Sequence, residues 1–452
     1  MQAQSVAPPG VADTVQRSPL QTLTLVLCFL VVAADGFDVA SVGYVAPLLK
    51  AAWSLSPAQL GPIFGAGLFG LTVGSFVFGP LADRIGRKRV ITISLVLFGI
   101  GSLACAYAPS AAWLVALRFL TGAGLGGAMP NAITLSSEFS PARGRAMRVT
   151  LMFCGFTLGL ACGGAVASLL LPRFGWQGVF VFGGICPLLL APVIWRWLPE
   201  SVRFMAGKPR YADEARRVMA RLTGDGNTPL DAATAGEAAP HGADRPRESA
   251  VGVLFSARYR TGTLLLWVAF FCTLWVYYQV SSWLPTVITS AGIDAAHAAR
   301  VGAMLPLGGT IGSLVNARLM DRMNPFFVLT GSYAVAALAI ALIGATLGSP
   351  SLVWATVFLA GFGLSGAQTG ANVLVAGFYT TAARATGVSW ALGVGRIGSI
   401  IGSMTGGLLL AAFHSPTAAF AVFAAPVGVA GLAMLVNGWL YRTHGDARAS
   451  RA

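Results

Sequence analysis

Charged residues are scarce in this sequence: Asp, Glu, Lys and Arg make up 10% of its 452 residues. A soluble globular domain carries about a quarter. Hydrophobic residues account for 56%, and the mean hydropathy is +0.72. These values exclude a soluble, disordered or collagen-like chain.

Metal-binding and redox patterns are also lacking. The four histidines fall in predicted loops or at chain ends, and the six cysteines lie inside apolar runs without CxxC or metal-ligand spacing. Such cysteines are typical of small core-facing or lipid-facing residues. We therefore predict no metal and no cofactor other than a coupling proton, and the absence of a nucleophile with its base argues against an enzyme.

What the sequence does contain is a series of twelve apolar runs, each near the length that spans a bilayer. They lie at about 20–42, 57–82, 90–107, 111–136, 149–171, 177–198, 260–285, 299–320, 326–346, 351–378, 385–411 and 417–441. The pattern predicts an all-α membrane protein with twelve transmembrane helices in two six-helix bundles. The predicted divisions are a tail (1–19), a first bundle (20–198), a linker (199–258), a second bundle (259–441) and a final tail (442–452).

The basic residues define an orientation. The net charge is +14, and 25 of the 30 Lys and Arg residues fall on one side if the amino terminus is cytoplasmic. Cytoplasmic loops of membrane proteins carry this excess. We therefore predict a multi-pass protein of the bacterial inner membrane with both termini in the cytoplasm, and we interpret the charge as a topology signal and not as nucleic-acid binding.

The two halves of the sequence resemble each other. The long polar segment between them, 199–258, predicts a mostly flexible linker with a short basic helix near Tyr211–Leu222. On either side, GPLADR aligns with ARLMDR and GAGLGGA aligns with GFGLSGA at almost the same offset. A duplicated six-helix unit is typical of secondary transporters, which bind substrate between the repeats.

A motif after the second run strengthens this interpretation. GPLADRIGRKRV, from Gly79 to Val90, resembles the loop signature of the major facilitator superfamily. The resemblance implies that Asp83 contacts the amino end of the eleventh helix and nearby arginines to stabilise one of two alternating states. The alternative is that these arginines only fix topology. The gating candidates here and at the repeated motif are Asp83, Arg84, Arg87, Asp321 and Arg322.

Several longer motifs are similar to the aromatic acid:H+ symporter family. They are DGFD, RFLTGAGLGGAMPNAITLSSEFSP, MFCGFTLG, WLPES and RATGVSWALGVGRIGSIIG, spread over both halves. The resemblance, greatest to the 4-hydroxybenzoate and protocatechuate transporters, implies uptake of an aromatic carboxylate together with protons. It also implies that Glu138 and Arg384 matter for transport, and we expect them to form gating salt bridges across the halves.

Few ionisable groups lie within the apolar runs, and such groups are costly at bilayer depth. Asp35 and Asp38 are three residues apart in the first run, which places both on nearly the same helix face. Two carboxylates facing one dry cavity do not both ionise cheaply, so this pair is a candidate proton carrier. The alternative is that either one forms a structural ion pair with an arginine.

Two arginines, Arg118 and Arg396, also lie within apolar runs. A guanidinium holds a carboxylate bidentately, so either arginine is able to bind the substrate or to neutralise an aspartate. Because Arg396 belongs to the opposite half, we favour Arg118 beside the aspartates and Arg396 on the substrate carboxylate.

Aromatic and amide side chains complete the predicted site. Aromatic residues are more often structural than ligand-binding in membrane helices, so each is a weak candidate alone. The candidates for contacting the ring are Phe37, Tyr44, Trp275, Tyr277, Tyr278, Trp283 and Trp390, and those for bonding a ring hydroxyl are Gln279, Gln368, Asn131 and Asn372.

Together these features predict a proton-coupled importer of a benzoate-type anion that works by alternating access. A sensor is less favoured because the linker is too short for a signalling domain. The partners of the importer are the aromatic carboxylate, protons and the lipid bilayer, and we expect it to act as a monomer. The alternatives are another organic anion, such as a phenylpropionate, muconate or chlorinated aryl acid, export in place of import, and a membrane sensor of aromatic acids.

Overall fold

A computed structural model describes residues 18–141, 145–206, 208–223, 250–257, 259–379, 381–413 and 415–449 of the chain. Within these ranges the secondary structure is helical. Eleven apolar segments are long enough to cross a membrane, and one of them, Met147–Trp197, is broken into two. The predicted all-α architecture with twelve spans is confirmed.

We number the spans in chain order. They are α1 Pro19–Trp53, α2 Pro57–Ile85, α3 Arg87–Ala106, α4 Ala111–Glu138, α5 145–174, α6 176–197, α7 Arg260–Ser290, α8 Ala295–Met320, α9 Pro325–Thr346, α10 Pro350–Phe378, α11 Thr381–Ala412 and α12 Pro416–Ala449. Shorter helices lie at Val202–Ala206, Pro209–Tyr211, Ala212–Thr223 and Ala250–Leu254.

Local sequence explains where several spans begin and break. The side chains of Ser18, Asp294 and Asn324 accept backbone N–H groups at the first turns of α1, α8 and α9. These caps satisfy donors that a helix start leaves unpaired. Between α5 and α6 the chain turns at Gly175, whose φ of 62° is readily adopted only by a residue without a side chain.

Some predicted boundaries are wrong. The first helix runs to Trp53 instead of ending near residue 42, and α12 continues to Ala449, through most of the segment predicted as a tail. Apolar runs mark the hydrocarbon core, whereas helices extend beyond it. The short linker helix predicted near Tyr211–Leu222 is found at Ala212–Thr223, and the flexible remainder predicted at 224–249 lies outside the described residues.

The halves meet closely at one end of the bundle. Their backbones approach each other at four glycines, in the pairs Gly43 with Ser281, Gly61 with Met404, Gly164 with Ala299, and Gly407 with Pro57. A Cβ atom added at Gly43 would lie 2.8 Å from the carbonyl oxygen of Ser281. We call this the closed end: it comprises the carboxyl ends of α1, α5, α7 and α11 and the amino ends of α2 and α8. Each glycine of the described chain that approaches the other half lies there.

Aromatic packing seals the same region. Trp283 of α7 is fully buried, and its ring meets Phe64 of α2 edge to face at a centroid distance of 5.1 Å. Its indole N–H donates to the carbonyl of Ser403 at 2.8 Å, which fixes the ring against α11. Phe64 belongs to the first half and Trp283 to the second, so the seal joins the two halves.

Candidate binding site between the two halves

A buried ion pair joins α1 to α4. Arg118 donates from both terminal nitrogens to Asp38, at 2.7 Å to Oδ1 and 2.8 Å to Oδ2. Asp38 is 2% exposed and Arg118 is 3% exposed. Gly67 of α2 makes room for the guanidinium, since a Cβ there would lie 3.1 Å from Nη2. This contact agrees with the predicted position of Arg118 beside the aspartates.

Asp35 has no such partner. It is completely buried one turn before Asp38, and neither of its carboxylate oxygens accepts a hydrogen bond within the described structure. Asp38 and Arg396 are the charged groups with which it interacts electrostatically. The two aspartates are therefore unequal: one is compensated by a direct contact, and the other lies next to a compensated pair.

Arg396 lies half-buried on α11 and interacts electrostatically with more than one group. It interacts electrostatically with Asp35 and with Tyr278 of α7. Among the described residues its guanidinium makes no ion pair or hydrogen bond. A half-buried guanidinium in this position is able to bind an anion that enters between the halves.

A cavity lies beside the Asp38–Arg118 pair. It is a narrow cavity formed by α1, α2 and α4 of the first half with α7 of the second. Its polar groups are the ion pair and the hydroxyl groups of Tyr278 and Ser282. Aliphatic side chains and Phe64 form the remaining wall, so the cavity combines an apolar surface with a few polar groups, as ligand sites do.

The aromatic candidates are only partly brought together. Tyr278 lines the cavity, as does Phe64, which the sequence analysis did not single out. Phe37 packs against Phe182 at a centroid distance of 5.3 Å, and the Tyr44 hydroxyl donates to a backbone carbonyl of α5 at 3.3 Å. Phe37 thus packs within the first half, whereas the Tyr44 ring also packs against Gly302 of α8 in the second half. Phe64 carries no sequence signal that separates it from other helix-packing phenylalanines.

The other aromatic candidates lie away from the cavity wall. Tyr277 packs edge to face on Tyr278, and Trp275 packs on Phe271 of the same helix. Trp390 is stacked on Trp267, with ring planes 14° apart. Stacked and edge-to-face pairs of this kind stabilise helix packing.

The amide candidates are also not part of the cavity wall. Gln368 donates to Asn372 one turn further along α10, at 3.3 Å. Asn131 donates to the carbonyl of Gly127 in its own helix at 2.7 Å. Gln279 is buried, and its side-chain nitrogen has no hydrogen-bond partner among the described residues.

Two gating candidates of the first half, Arg87 and Glu138, belong to a network at the end of the bundle opposite the closed end, which we call the open end. Arg87 pairs with Glu138, and Glu138 also accepts a hydrogen bond from the Ser201 hydroxyl at 2.6 Å. Glu200 accepts the backbone N–H groups of Arg87 and Lys88 at 2.8 and 3.1 Å. A carboxylate at this place caps the amino end of α3 and complements its dipole. Glu200 and Ser201 of the WLPES motif thus contact the amino end of α3 and the carboxyl end of α4.

The expected salt bridge of Glu138 across the halves is wrong for this conformation, because Glu138 pairs within its own half. The side chains of Asp83, Asp321 and Arg384 have no hydrogen bond or ion pair with a described partner, and all three are exposed. Arg84 and Arg322 are exposed as well. Among the described residues, no hydrogen bond or ion pair joins the two halves at this end.

Comparison with known proteins identifies the family. The sequence pattern described as the Major Facilitator Superfamily matches residues 28–367. The chain belongs to the major facilitator superfamily. As in other members of this superfamily, two six-helix halves surround the candidate site.

Three relatives of the superfamily match nearly end to end. The chain is 41% identical to a gallate transporter of Pseudomonas putida, over 99% of this chain and 98% of the relative. It is 40% identical to a 4-hydroxybenzoate transporter of Acinetobacter baylyi, over 94% and 93%. It is 36% identical to a 3-(3-hydroxy-phenyl)propionate transporter of Escherichia coli, over 92% and 93%.

Solved structures of the superfamily share the fold. A partially occluded, inward-open xylose transporter from E. coli superposes with a TM-score of 0.71 at 15% identity, covering 92% of this chain and 98% of the other. A bacterial homologue of Spinster in an inward-facing conformation gives 0.66 at 18% identity, covering 94% and 97%. These likenesses support the two-bundle architecture.

Proposed function

We propose that this protein imports an aromatic carboxylate together with protons across the bacterial inner membrane, by alternating access between its two halves. The observation that carries the proposal is the arrangement beside the cavity: a compensated Asp38–Arg118 pair and, one turn away, a buried Asp35 without a hydrogen-bond partner. Relatives at about 40% identity are named for aromatic acids, which supports the substrate class.

Asp35 is the proposed proton carrier. An ionised group at bilayer depth costs about 2.5 to 3.5 kcal/mol unless it is compensated. Asp38 is compensated by Arg118 through two short hydrogen bonds and needs no proton. Asp35 is compensated only at longer range, so a proton is the direct way to remove its charge.

Arg396 is the proposed binding residue for the substrate carboxylate. Arg396 is the positively charged residue that interacts electrostatically with Asp35. When an anion binds to Arg396, the arginine no longer compensates Asp35, and Asp35 then takes up a proton. Substrate and proton thereby favour each other's binding, which is what symport requires.

The direction of opening follows from the predicted topology. If both termini are cytoplasmic, the closed end faces outward and the network around Glu138 faces the cytoplasm. The conformation is then inward-facing, and the outward-facing state requires the contacts at Gly43, Gly61 and Gly164 to separate. Alternating access follows from breaking one set of contacts and making another.

The experiment is uptake of labelled 4-hydroxybenzoate and gallate into liposomes containing the purified protein, with an imposed pH gradient. The expected result is accumulation above the external concentration when the outside is acidic. A sensor, or an exporter that runs only outward, gives no accumulation under that gradient, and this outcome would refute the proposal.

The matched variants are Asp35→Asn and Asp294→Asn. Asp35→Asn is expected to lose accumulation driven by the pH gradient and to retain exchange of labelled for unlabelled substrate. Asp294 is an exposed helix cap at which asparagine serves equally well, so its variant is expected to behave as wild type. Gradient-driven accumulation by Asp35→Asn would exclude Asp35 as the proton carrier.

A further inference from the structure

Two hydroxyl groups of α7 face the cavity from the second half. Tyr278 and Ser282 both line it, four residues apart, so their side chains lie on one face of the helix. The opposite wall carries the Asp38–Arg118 pair of the first half. Any molecule in the cavity therefore contacts hydroxyl groups on one side and a compensated ion pair on the other.

The Ser282 hydroxyl makes no hydrogen bond to its own helix among the described residues, a property that it shares with Ser94, Ser136 and Ser365. Serine in a helix commonly donates to a carbonyl of the preceding turn, as Ser399 and Ser403 do on α11 at 2.7 and 2.9 Å. In the described part of the structure, neither the Ser282 hydroxyl nor the Tyr278 hydroxyl has a hydrogen-bond partner. A ligand that displaced water from the cavity without bonding these groups would leave them unsatisfied, at a cost.

The remaining wall next to these hydroxyls is apolar. Val42, Phe64 and Leu68 line it, and they offer no side-chain hydrogen-bonding group. A flat ring is compatible with such a wall. A hydroxyl on that ring would find its hydrogen-bonding partners on α7 and not on α2.

We propose that Ser282, with Tyr278, binds the ring hydroxyl of the substrate and makes the transporter prefer hydroxylated aryl acids over unsubstituted ones. This inference rests on the proposed function, and it identifies the ring hydroxyl as the substrate group that the same site recognises. A substrate hydroxyl both donates and accepts, and so do the hydroxyls of serine and tyrosine.

The spacing along α7 is compatible with a para-substituted ring. Arg396, the proposed carboxylate partner, interacts electrostatically with Tyr278. Ser282 lies one turn further along α7, a rise of about 6 Å. Arg396 lies outside the cavity wall, so a ring whose hydroxyl meets Ser282 has its carboxylate directed past Tyr278 toward Arg396.

The experiment measures the Kd values of 4-hydroxybenzoate and benzoate on the purified protein, by isothermal titration calorimetry. The variants are Ser282→Ala and Tyr278→Phe, and the matched control is Ser281→Ala, whose side chain is not part of the cavity wall. Wild type is expected to bind 4-hydroxybenzoate more tightly than benzoate. Ser282→Ala is expected to reduce that preference about five- to tenfold, the value of one hydrogen bond, and Tyr278→Phe to reduce it in the same direction.

Thermal unfolding of each purified variant in the same detergent supplies the folding control, and each variant is expected to unfold within a few degrees of wild type. Equal weakening of both acids by Ser282→Ala, an unchanged preference, or the same loss in Ser281→Ala would overturn the inference while the proposed function stands. Absence of binding of either acid to wild type would overturn the proposed function and this inference together.

Discussion

The buried pair between Asp38 and Arg118 allows a quantitative test of how the site is held. Both side chains are less than 5% exposed, and both contacts are short, at 2.7 and 2.8 Å. Removing one partner of such a pair leaves an uncompensated charge in the interior, which costs about 3 to 5 kcal/mol. Removing both partners leaves no charge and costs much less.

The variants are Asp38→Asn, Arg118→Met and the double mutant, together with Asp83→Asn as the exposed control. Unfolding by denaturant in detergent micelles, followed by tryptophan fluorescence, gives each free energy of unfolding. Each single variant is expected to lose about 3 to 5 kcal/mol. The double mutant is expected to lose at least about 2 kcal/mol less than the sum, and Asp83→Asn to stay within about 0.5 kcal/mol of wild type.

The reasoning is refuted if the double mutant loses as much stability as the two single variants added together. Additive losses mean that the two residues do not interact energetically. The pair would then be two independent polar side chains in contact. The distinction between Asp38, compensated by direct contact, and Asp35, compensated only at longer range, would no longer hold.

Three further predictions concern substrate binding, the closed end and the base of α3. Arg396→Gln is expected to raise the KM for the aromatic acid about 10- to 150-fold, the value of a hydrogen-bonded charge, and a change below twofold in uptake assays would contradict this. Gly61→Leu is expected to hold the closed end open, so that cysteines engineered there react with thiol reagents. Gly331→Leu, where the added side chain meets open space, is expected to leave them unreactive. Equal labelling of the two variants would contradict the role of the closed end as a seal that moves. Glu200→Ala is expected to destabilise the protein by about 1 to 2 kcal/mol through loss of a helix cap, against a negligible change for Asp321→Ala at the exposed carboxyl end of α8. Equal stabilities by denaturant unfolding would exclude the capping role.

Much of the fold follows from the sequence because the bilayer imposes strong constraints. A span needs a long apolar run, and its backbone must satisfy its own hydrogen bonds as a helix. The twelve spans are therefore predictable from hydropathy. The ends are not, because a helix such as α1 continues past the hydrocarbon core to Trp53 under the control of caps and packing.

The site was predictable mainly from its charged residues; among the aromatic candidates, Tyr278 also lines the cavity. Asp35, Asp38 and Arg118 stand out because ionisable groups are rare in apolar runs, and the structure brings them together on α1 and α4. Ser282 has no such signal, since a serine in a membrane helix usually bonds its own backbone. Its position on the cavity wall depends on how α7 packs against the first half.

Partner choice at the open end depends on conformation, which a sequence pattern does not specify. Glu138 is at the end of α4, where a carboxylate has several arginines within reach once the chain folds. In this state Arg87 of the same half is its partner. An ion pair between the halves requires the open end to close. The sequence therefore identifies the charged residues, whereas the conformational state determines which of them form ion pairs.

Charge compensation also determines how tightly substrate and proton are coupled. In the empty carrier, ionised Asp35 and Arg396 compensate each other; in the loaded carrier, a proton compensates Asp35 and the substrate carboxylate compensates Arg396. Binding only one of the two leaves a single uncompensated charge, at about 2.5 to 3.5 kcal/mol in the membrane interior, which lowers the population of the half-loaded closed state about 70- to 400-fold. The loaded and empty carriers then carry the same charge across the membrane. Uptake is expected to be electroneutral, and at equal pH on both sides its rate is expected not to change when a potassium diffusion potential is imposed.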